Sequence, residues 1–401
     1  MPRFANKKIL IGVSGGIAAY KVGEIIRELK KEGATCRVVM TSAAQKFMTP
    51  LTFKTLSEAP VLIDLFLDDP EFNIVHIDAA RWADGILICP ASANLIGKIA
   101  NGIADDLLTT LVMATKAPVL LCPAMNTQMY LNPVVQANLK KLIQFNYQII
   151  EPTAGELACK EEGIGRLAEK STILNALKKI VLGTSELKDK KILITAGRTE
   201  EAWDVARILT NRSSGKMGFA LAEAAALKGA KVGLISGPNQ LIPFPEVELI
   251  RVTTAAEMAE AVLQRWHQYD ILIMAAAVAD FRPRTVSTHK IKKAHAQLSI
   301  ELEPTTDILA ELAPQKGEKI FIGFAVETDN IIESAKQKLK QKNLDLIVLN
   351  NPLEPGAGFA TDTNKVFLID RTGTIDALPL MPKSVLAERI IERVIEFINV
   401  L

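Results

Sequence analysis

The chain contains two stretches of the same form, KKILIGVSGGIAAYK at residues 7–21 and KKILITAGRTEE at residues 190–201. In each stretch two lysines lead into a short apolar run, and the run ends in a turn that contains glycine. A short apolar run bounded by turn residues indicates a buried strand. Each stretch therefore predicts the first strand of an α/β unit. The polar segment GTSELKDKK at 183–191 predicts a boundary near residue 185, which gives domains at 1–185 and 186–401.

Both halves alternate between strand and helix patterns. We predict helices over 17–32 and 216–228, capped by Gly33 and Gly229, and strands at 36–40, 85–89, 118–122, 232–236, 271–275, 320–324 and 346–349. Buried strands without strict alternation, separated by helices, are typical of parallel sheets covered on both faces. The predicted fold class is therefore α/β, with two mostly parallel sheets, and ligands are expected at the carboxyl ends of the strands.

Composition excludes several classes of protein. The 401 residues are 49% hydrophobic and 23% charged, as in globular proteins of two or three domains. A net charge of +2 gives the protein no broad positive potential that would attract nucleic acid. The apolar run 271–279 is too short to span a bilayer, and the N-terminus lacks a signal-peptide pattern. We therefore expect a cytoplasmic protein that binds neither nucleic acid nor membranes.

The four cysteines fall into two groups. Cys36, Cys89 and Cys122 lie in strand-like apolar runs, where a thiol behaves as a small buried hydrophobe. No CxxC pattern exists, which disfavours a zinc site and a disulfide framework. Cys159 lies in a polar loop, where a thiol is accessible and can take part in chemistry.

Three loops of the first half follow predicted strands and could meet at one sheet edge. The glycine loop 12–16 precedes a helix, whose free N–H groups suit a single phosphate. Its spacing does not match the GxGxxG dinucleotide pattern, and a plain glycine turn remains the alternative. PASANL at 90–95 and PAMN at 123–126 place an amide beside small residues. Each Asn also fits a turn or a helix cap.

The motifs GVSGGIAAYK, NIVHIDAARWAD, PASANL and PAMNTQMY and the Cys159 loop occur in the order of the flavin-containing cysteine decarboxylases. The first half resembles phosphopantothenoylcysteine decarboxylase. The resemblance implies a flavodoxin-like or Rossmann-like flavoprotein domain in which FMN carries the electrons of an oxidative decarboxylation. It implies His76 as catalytic base or orienting group, Asn126 as the group that holds the substrate carboxylate, and Cys159 as proton donor on a clamp.

The same resemblance assigns the remaining residues of this domain. Residues expected at the cofactor are Gly12, Ser14, Gly15, Gly16, Thr41, Ser42, Ser92 and Asn94, and residues expected at the substrate are Met125, Asn126 and Arg166. Gly16 stands where many relatives have Ser, and Lys160 follows the cysteine where the family usually has Gly.

The second half carries phosphate-binding patterns of its own. TNRSSGKMG at 210–218 precedes a helix but fails the P-loop pattern, since Thr210 and Met217 replace Gly and Ser or Thr. AAAVADF at 275–281 contains a carboxylate, and KIKK at 290–293 is basic. Lys338 and Lys342 share one helix face. Each feature alone also fits a capped helix start or a solvated helix face.

Taken together, ITAGRTEE, TNRSSGKMG, AAAVADF, KIKK, TTDIL, GFAVET and the two lysines resemble phosphopantothenate–cysteine ligase, with a Rossmann-like fold. The resemblance implies that 4′-phosphopantothenate, cysteine, CTP and Mg²⁺ react through an acyl-cytidylate, with Asn211 and Lys290 catalytic. TTDIL departs from the usual Asn-Pro-Asp opening, and no metal ligand is assigned. Residues expected at the nucleotide are Asp280, Lys290, Thr305, Thr306, Asp307, Ile308, Phe324, Lys338 and Lys342.

The two halves in this order resemble the bacterial bifunctional enzyme of coenzyme A biosynthesis. The resemblance implies a homo-oligomer of trimeric decarboxylase units and dimeric ligase domains, in which the ligase product, 4′-phosphopantothenoylcysteine, is the substrate of the first half. Two alternatives remain: a flavoprotein that decarboxylates a peptide C-terminal cysteine, and a non-catalytic flavoprotein interaction subunit. The fused ligase pattern disfavours the first. The joint presence of His76, Asn126 and Cys159 disfavours the second.

Overall fold

The computed structural model describes residues 3–66, 73–158, 160–291, 299–326, 331–350, 356, 358 and 361–400, with residues 331 and 400 described by their backbone alone. The chain divides between Gly183 and Thr184 into two compact units. Among the described residues, no helix combines the length and the apolar character that crossing a membrane requires.

The first unit is built on a six-stranded parallel sheet in the order β3-β2-β1-β4-β5-β6, with a separate hairpin β7–β8. The strands are β1 (Lys8–Val13), β2 (Thr35–Met40), β3 (Val61–Leu62), β4 (Gly85–Ala91), β5 (Val119–Pro123), β6 (Gln148–Ile149), β7 (Thr153–Glu156) and β8 (Glu162–Arg166). The helices are α1 (Val22–Lys31), α2 (Pro50–Ser57), α3 (Val75–Trp82), α4 (Ala93–Ala100), α5 (Leu107–Ala114), α6 (Thr127–Leu131), α7 (Pro133–Gln144) and α8 (Lys170–Leu182), with 3₁₀ turns at Ile17–Lys21 and Ala44–Lys46.

Strand order identifies the fold of this unit as doubly wound. All six strands follow the Rossmann order, and the order without the two-residue strand β3 is that of flavodoxin. Side chains of β1 alternate between two cores, with Ile9 and Ile11 in one and Leu10 in the other. The predicted parallel sheet with helices on both faces is confirmed. Its switch point lies between β1 and β4, where ligands of such sheets bind.

The second unit repeats this plan with an added antiparallel edge. Its sheet has the order β13-β12-β9-β14-β17-β18-β19-β20, and only β19 and β20 break the parallel arrangement. The strands are β9 (Lys191–Ala196), β10 (Glu200–Ala202), β11 (Ile208–Thr210), β12 (Lys231–Ser236), β13 (Val247–Arg251), β14 (Ile271–Met274), β15 (Phe281–Pro283), β16 (Leu302–Pro304), β17 (Ile320–Val326), β18 (Leu346–Asn350), β19 (Thr363–Asp370) and β20 (Ile375–Pro382). The helices are α9 (Lys216–Leu227), α10 (Ala255–Arg265), α11 (Ile308–Leu312), α12 (Ile331–Gln341) and α13 (Lys383–Val400), with 3₁₀ turns at Trp266–Gln268 and Ala313–Gln315.

This sheet is also covered on both faces. Ile192 and Ile194 of β9 pack into one core, whereas Leu193 packs into the other. The six parallel strands again follow the Rossmann order, so the loops after β9 and β14 flank the switch point. The predicted fold class holds for both units.

One predicted helix differs from the structure in detail. The helix predicted from residue 17 begins as a 3₁₀ turn, and its α-helical part starts at Val22; tight first turns of this kind are frequent at helix N-termini. His76 lies inside the first turn of α3. The helix predicted over 216–228 is confirmed as α9, and Gly229 has the positive φ expected after a helix end.

Candidate functional sites

The loops after β1, β2, β4 and β5 are joined to one another by direct hydrogen bonds. The bonds run from Thr41 N–H to Val13 O (3.1 Å), from Ser14 Oγ–H to Pro90 O (2.7 Å), from Ser92 N–H to Ser14 Oγ (2.8 Å) and from Ala124 N–H to Ala91 O (3.2 Å). The residues that the sequence assigned to the cofactor therefore lie along one carboxyl edge of the sheet. Asn94 is exposed in the first turn of α4, and Ser42 is exposed beside Thr41.

Ser14 connects the loop after β1 to the loop after β4. The residue is 1% exposed, its hydroxyl donates to the Pro90 carbonyl, and its side-chain oxygen accepts from Ser92 N–H. Because a hydroxyl has one proton, this proton is used within the protein. The backbone N–H groups of Gly15 and Gly16 have no acceptor within the described part of the chain. A phosphate at this helix start would be held by backbone donors.

Asn126 connects the strand end after β5 to the hairpin β7–β8. Its side-chain oxygen accepts from Gln128 N–H at 2.8 Å, which caps α6, and its amide donates to Glu161 Oε2 at 3.0 Å. The neighbouring Met125 N–H donates to the Gly165 carbonyl at 3.0 Å. The predicted helix cap at Asn126 is confirmed. Its side-chain amide also binds a carboxylate, that of Glu161.

The hairpin presents the predicted clamp residues at this strand end. Cys159 falls in the connection between β7 and β8 but lies outside the described residues. Arg166, the last residue of β8, is exposed. The hydrogen bonds of Met125 and Asn126 attach the hairpin on the β8 side of that connection, at Gly165 and Glu161. The segment that carries Cys159 is therefore tied to the residues expected to hold the substrate.

His76 is among the described residues of the first unit with a buried polar atom that lacks a hydrogen-bond partner. Its ring is half-buried in α3, and Nδ1 is buried without a hydrogen-bond partner among the residues described. A buried polar atom without a partner costs free energy, and a catalytic role is one of the explanations for such an atom in a native fold. The structure shows no hydrogen bond between His76 and the loops at the sheet edge.

The other three cysteines behave as the sequence predicts. Cys36, Cys89 and Cys122 are buried free thiols. Burial raises the pKa of the Cys36 thiol to about 12, against the opposing charge of Lys30. Burial, followed by the neighbouring Cys89, also raises the pKa of Cys122. Neither thiol readily forms the nucleophilic thiolate.

The second unit contains a cavity of about 500 Å³ at the carboxyl ends of its parallel strands. Its walls come from the start of α9, the loop after β14, residues 305–309, the end of β17 and one face of α12. Most residues that the sequence assigned to the nucleotide and the intermediate line this cavity, namely Asn211, Asp280, Thr305, Thr306, Asp307, Ile308, Phe324, Lys338 and Lys342.

Hydrogen bonds fix the cavity walls in place. The Asn211 amide donates to the carbonyls of Ala277 (3.2 Å) and Val278 (3.0 Å), which ties the segment before α9 to the loop after β14. Thr305 N–H donates to Asp280 O at 2.9 Å. With both amide protons of Asn211 used, its side-chain oxygen is the atom left to face a ligand.

Charges line the cavity on two sides. Asp307 caps α11 and pairs with Lys342 at 2.9 Å. On the other side, Lys216 Nζ lies 2.6 Å from Asp362 Oδ1. Lys383, the first residue of α13, is 7% exposed. Burial, and then the charge of Lys216, hold the pKa of Lys383 below its ordinary value, with Asp362 opposing.

Sequence reasoning missed two of these lysines as ligand-binding candidates. Lys216 lies in the motif TNRSSGKMG, which does not match the P-loop pattern, and no ligand was assigned to this lysine. Lys383 belongs to no quoted motif, and it reaches the cavity because β19 and β20 return the chain to that point. Its position at the start of an amphipathic helix was the only available signal.

Lys290 is the predicted residue that the structure does not bring into the cavity. Its side chain is exposed and is absent from the cavity wall. The following residue is held from both sides, since Ile291 N–H donates to Asp204 Oδ2 and Ile291 O accepts from Arg207 Nη2, each at 3.2 Å. Residues 292 and 293 of the basic cluster lie outside the described part of the chain.

No metal centre is formed by protein groups alone in the described ranges. Within them, no three or more His, Cys, Asp or Glu side chains are grouped as a cation would require. Among the described residues, Asp280 and Asp307 are the carboxylates that line the cavity.

Two family models match the chain, one for each unit. The model described as "Flavoprotein" matches residues 3–182, and the model of the DNA/pantothenate metabolism flavoprotein C-terminal domain matches residues 187–398. A solved structure of the C-terminal domain of a coenzyme A biosynthesis bifunctional protein CoaBC is 40% identical to this chain, with a TM-score of 0.47. It covers 54% of this chain and 99% of that one.

Full-length relatives have the same arrangement. The coenzyme A biosynthesis bifunctional protein CoaBC of Bacillus subtilis is 49% identical over 381 residues, which cover 94% of each chain. The protein of the same name from Escherichia coli K12 is 43% identical over 98% of this chain and 97% of its own length. The chain therefore belongs to the family of coenzyme A biosynthesis bifunctional proteins, enzymes that join a flavoprotein decarboxylase domain to a C-terminal ligase domain.

Proposed function

We propose that residues 186–401 ligate cysteine to 4′-phosphopantothenate with CTP, and that residues 1–185 decarboxylate the product, 4′-phosphopantothenoylcysteine, with FMN. The observation that carries the proposal is the lysine-lined cavity of the second unit. Four lysines and two carboxylates lie on its walls, namely Lys216, Lys338, Lys342, Lys383, Asp280 and Asp307. A net positive cavity beside a helix N-terminus suits a substrate with several phosphates.

The ligation needs an activated carboxylate. The 4′-phosphopantothenate carboxylate attacks the α-phosphorus of CTP, pyrophosphate leaves, and the acyl-cytidylate remains. The cysteine amine then attacks the acyl carbon, CMP leaves, and the amide forms. Lysine charges stabilise the negative charge that develops on the phosphoryl oxygens. Asn211, fixed through both amide protons, would meet the acyl-cytidylate with its side-chain oxygen.

Mg²⁺ belongs to the same proposal. Proteins usually hold Mg²⁺ through one or two carboxylates together with substrate phosphates. Asp280 fits such a role, since it lines the cavity. Asp307 fits it less well, because it already pairs with Lys342 and caps α11. Phe324 and the segment 305–308 form the wall against which the base and ribose of CTP would lie.

FMN is the proposed cofactor of the first unit. The backbone N–H groups of Gly15 and Gly16 would hold its phosphate, and the joined loops after β2, β4 and β5 would flank the ring. Bound FMN supplies the oxidation of the cysteine thiol carbon and the later return of those electrons. Asn126 would bind the substrate carboxylate through its amide. His76 and Cys159 would move protons, as base or orienting group and as acid.

Two measurements test the two halves separately. The purified full-length protein should show flavin absorption, and a flavin-free preparation that FMN does not reconstitute would refute the first half. Addition of cysteine to protein, CTP, Mg²⁺ and 4′-phosphopantothenate should release pyrophosphate. Absence of pyrophosphate release with both CTP and ATP would refute the second half. ATP supporting the reaction better than CTP would correct the nucleotide alone.

The family assignment favours this reading over the two alternatives. A peptide-cysteine decarboxylase has no use for a fused ligase unit, and an interaction subunit has no use for the lysine-lined cavity. The trimeric decarboxylase units and dimeric ligase domains stay a prediction, which the mass of the full-length protein in solution would test.

A further inference from the structure

The ion pair between Lys216 and Asp362 lies at the edge of the ligase cavity. Lys216 is the first residue of α9, whose N-terminus faces the cavity, and its ammonium group is 2.6 Å from Asp362. The Lys216 side chain is 39% exposed and that of Asp362 is 86% exposed. An ion pair this accessible contributes little stability, so its partners exchange readily.

Lys383 joins the pair from the other side. Its ammonium group donates to the carbonyls of Thr361 at 2.7 Å and Gly358 at 3.4 Å. Its backbone N–H donates to the carbonyl of Asp362 at 2.9 Å. Lys383 therefore fixes the segment that carries Asp362, while its own charge stays almost fully buried at the cavity wall.

The balance of charge at this corner points to an anion. The charge of Lys216 acts on Lys383, and Asp362 acts on both. Lys216 pairs with Asp362, the ammonium group of Lys383 is almost fully buried, and both lysines line the cavity beside the N-terminus of α9. Positive charge beside a helix N-terminus favours an anionic ligand at this wall. A phosphoryl group carries the required charge and accepts several hydrogen bonds.

We propose that Lys216 and Lys383 bind a phosphoryl group of the ligase substrates, and that Asp362 is a built-in counter-ion which holds Lys216 until that group displaces it. The proposal rests on the proposed ligase function. It assigns separate roles to two of the four cavity lysines and adds Asp362. Asp362 would compete with the substrate for Lys216, whereas a positioning residue would help the substrate to bind. The phosphoryl group belongs either to the polyphosphate chain of CTP or to the phosphate ester of 4′-phosphopantothenate.

If Asp362 is a counter-ion, its removal should lower the dissociation constant of the ligand. If Asp362 positions the substrate, its removal should raise that constant. We would measure the dissociation constants of CTP, pyrophosphate and 4′-phosphopantothenate for the full-length protein by calorimetry. Lys216→Met should weaken one of these ligands about tenfold, the usual effect of losing a charged hydrogen bond. Asp362→Asn should tighten the same ligand about threefold, since removing an exposed competing carboxylate releases a small free energy.

Matched controls come from the same unit. Lys228, at the other end of α9, forms a 2.6 Å ion pair with Glu186 away from the cavity. Asp376 is an exposed carboxylate on β20 that does not line the cavity. Lys228→Met and Asp376→Asn should leave all three dissociation constants unchanged. Both test positions are more than one-third exposed, so the variants are expected to fold.

Each outcome decides between the possibilities. Weaker binding of CTP and pyrophosphate by Lys216→Met supports the polyphosphate chain, and weaker binding of 4′-phosphopantothenate supports the phosphate ester. Unchanged binding of all three ligands by Lys216→Met overturns the site. Unchanged or weaker binding by Asp362→Asn overturns the counter-ion role. Failure of the proposed function is a separate result, because the unmodified protein would then release no pyrophosphate.

Discussion

Gly165 is a position where one methyl group should separate the two activities of the chain. It lies on β8 with a φ of +151°, in the hairpin that carries the segment around residue 159. A Cβ at this position would overlap the carbonyl oxygen of Met125 and lie 3.3 Å from its carbonyl carbon. Since the obstacle is backbone, no side-chain rotation relieves it. Gly165→Ala should therefore push the hairpin away from Met125 and Asn126.

The magnitude follows from two contributions. An L-residue with such a φ costs about 1–3 kcal/mol. Loss of the hydrogen bond from Met125 N–H to the Gly165 carbonyl costs about 1 kcal/mol more. A total of about 2–4 kcal/mol lowers the equilibrium constant between the attached and the detached hairpin at least about 30-fold. Because the attached hairpin brings the predicted proton donor to the substrate, we expect decarboxylation to fall at least about tenfold.

The assay compares both activities in one preparation. Release of CO₂ from supplied 4′-phosphopantothenoylcysteine should fall, while cysteine-dependent pyrophosphate release should stay unchanged. Gly102→Ala is the matched control, because Gly102 also has a positive φ (+68°) but has no atom within 4 Å of an added Cβ. Decarboxylation by Gly165→Ala within twofold of the unmodified protein, with Gly102→Ala equally unaffected, would refute the reasoning.

Three further variants test other contacts. Glu161→Gln removes the carboxylate that occupies the Asn126 amide; we expect the KM for 4′-phosphopantothenoylcysteine to fall about threefold, and an unchanged or higher KM would contradict this. Asp204→Asn weakens the hold on Ile291, which follows the predicted catalytic residue Lys290. If Lys290 takes part in ligation, pyrophosphate release should fall while CO₂ release from supplied substrate persists; equal effects on both would count against it. Unfolded Cys36 ionises near its ordinary pKa of 9.0 but the folded thiol only near 12, so stability to urea should fall between these pH values, and Cys36→Ala should flatten that slope.

Much of the fold could be predicted from apolar runs and turn residues. The parallel strands were found because each buried strand is a short, almost wholly apolar segment between helices. The antiparallel edge was not predicted. Strand β20 is largely exposed and contains Pro379 and Pro382, which suit an edge strand but remove the ordinary strand signal. The hairpins β10–β11 and β15–β16 are three residues per strand, too short for a periodic pattern.

The sites were predictable to the extent that parallel topology brings strand ends together. That rule applies to the loop that carries Asp280, whereas Phe324 and the segment 305–308 were assigned to the nucleotide through the family resemblance. It could not assign hydrogen-bond partners, and Ser14 donates to a residue 76 positions away. It also could not place Lys383 beside Lys216, because that contact depends on the antiparallel return through β19 and β20. Side-chain roles set by distant tertiary contacts leave no local pattern in the sequence.

The hydrogen bonds between the loops at the carboxyl edge of the first sheet concern whether these loops become ordered during folding or only when FMN binds. All of them join protein groups to protein groups, so they form without FMN. A newly synthesised chain can complete this edge before any flavin is at hand, and the entropic cost of ordering the loops falls on folding instead of on binding. Apoprotein prepared without flavin should then keep this edge of its sheet and take up added FMN without refolding.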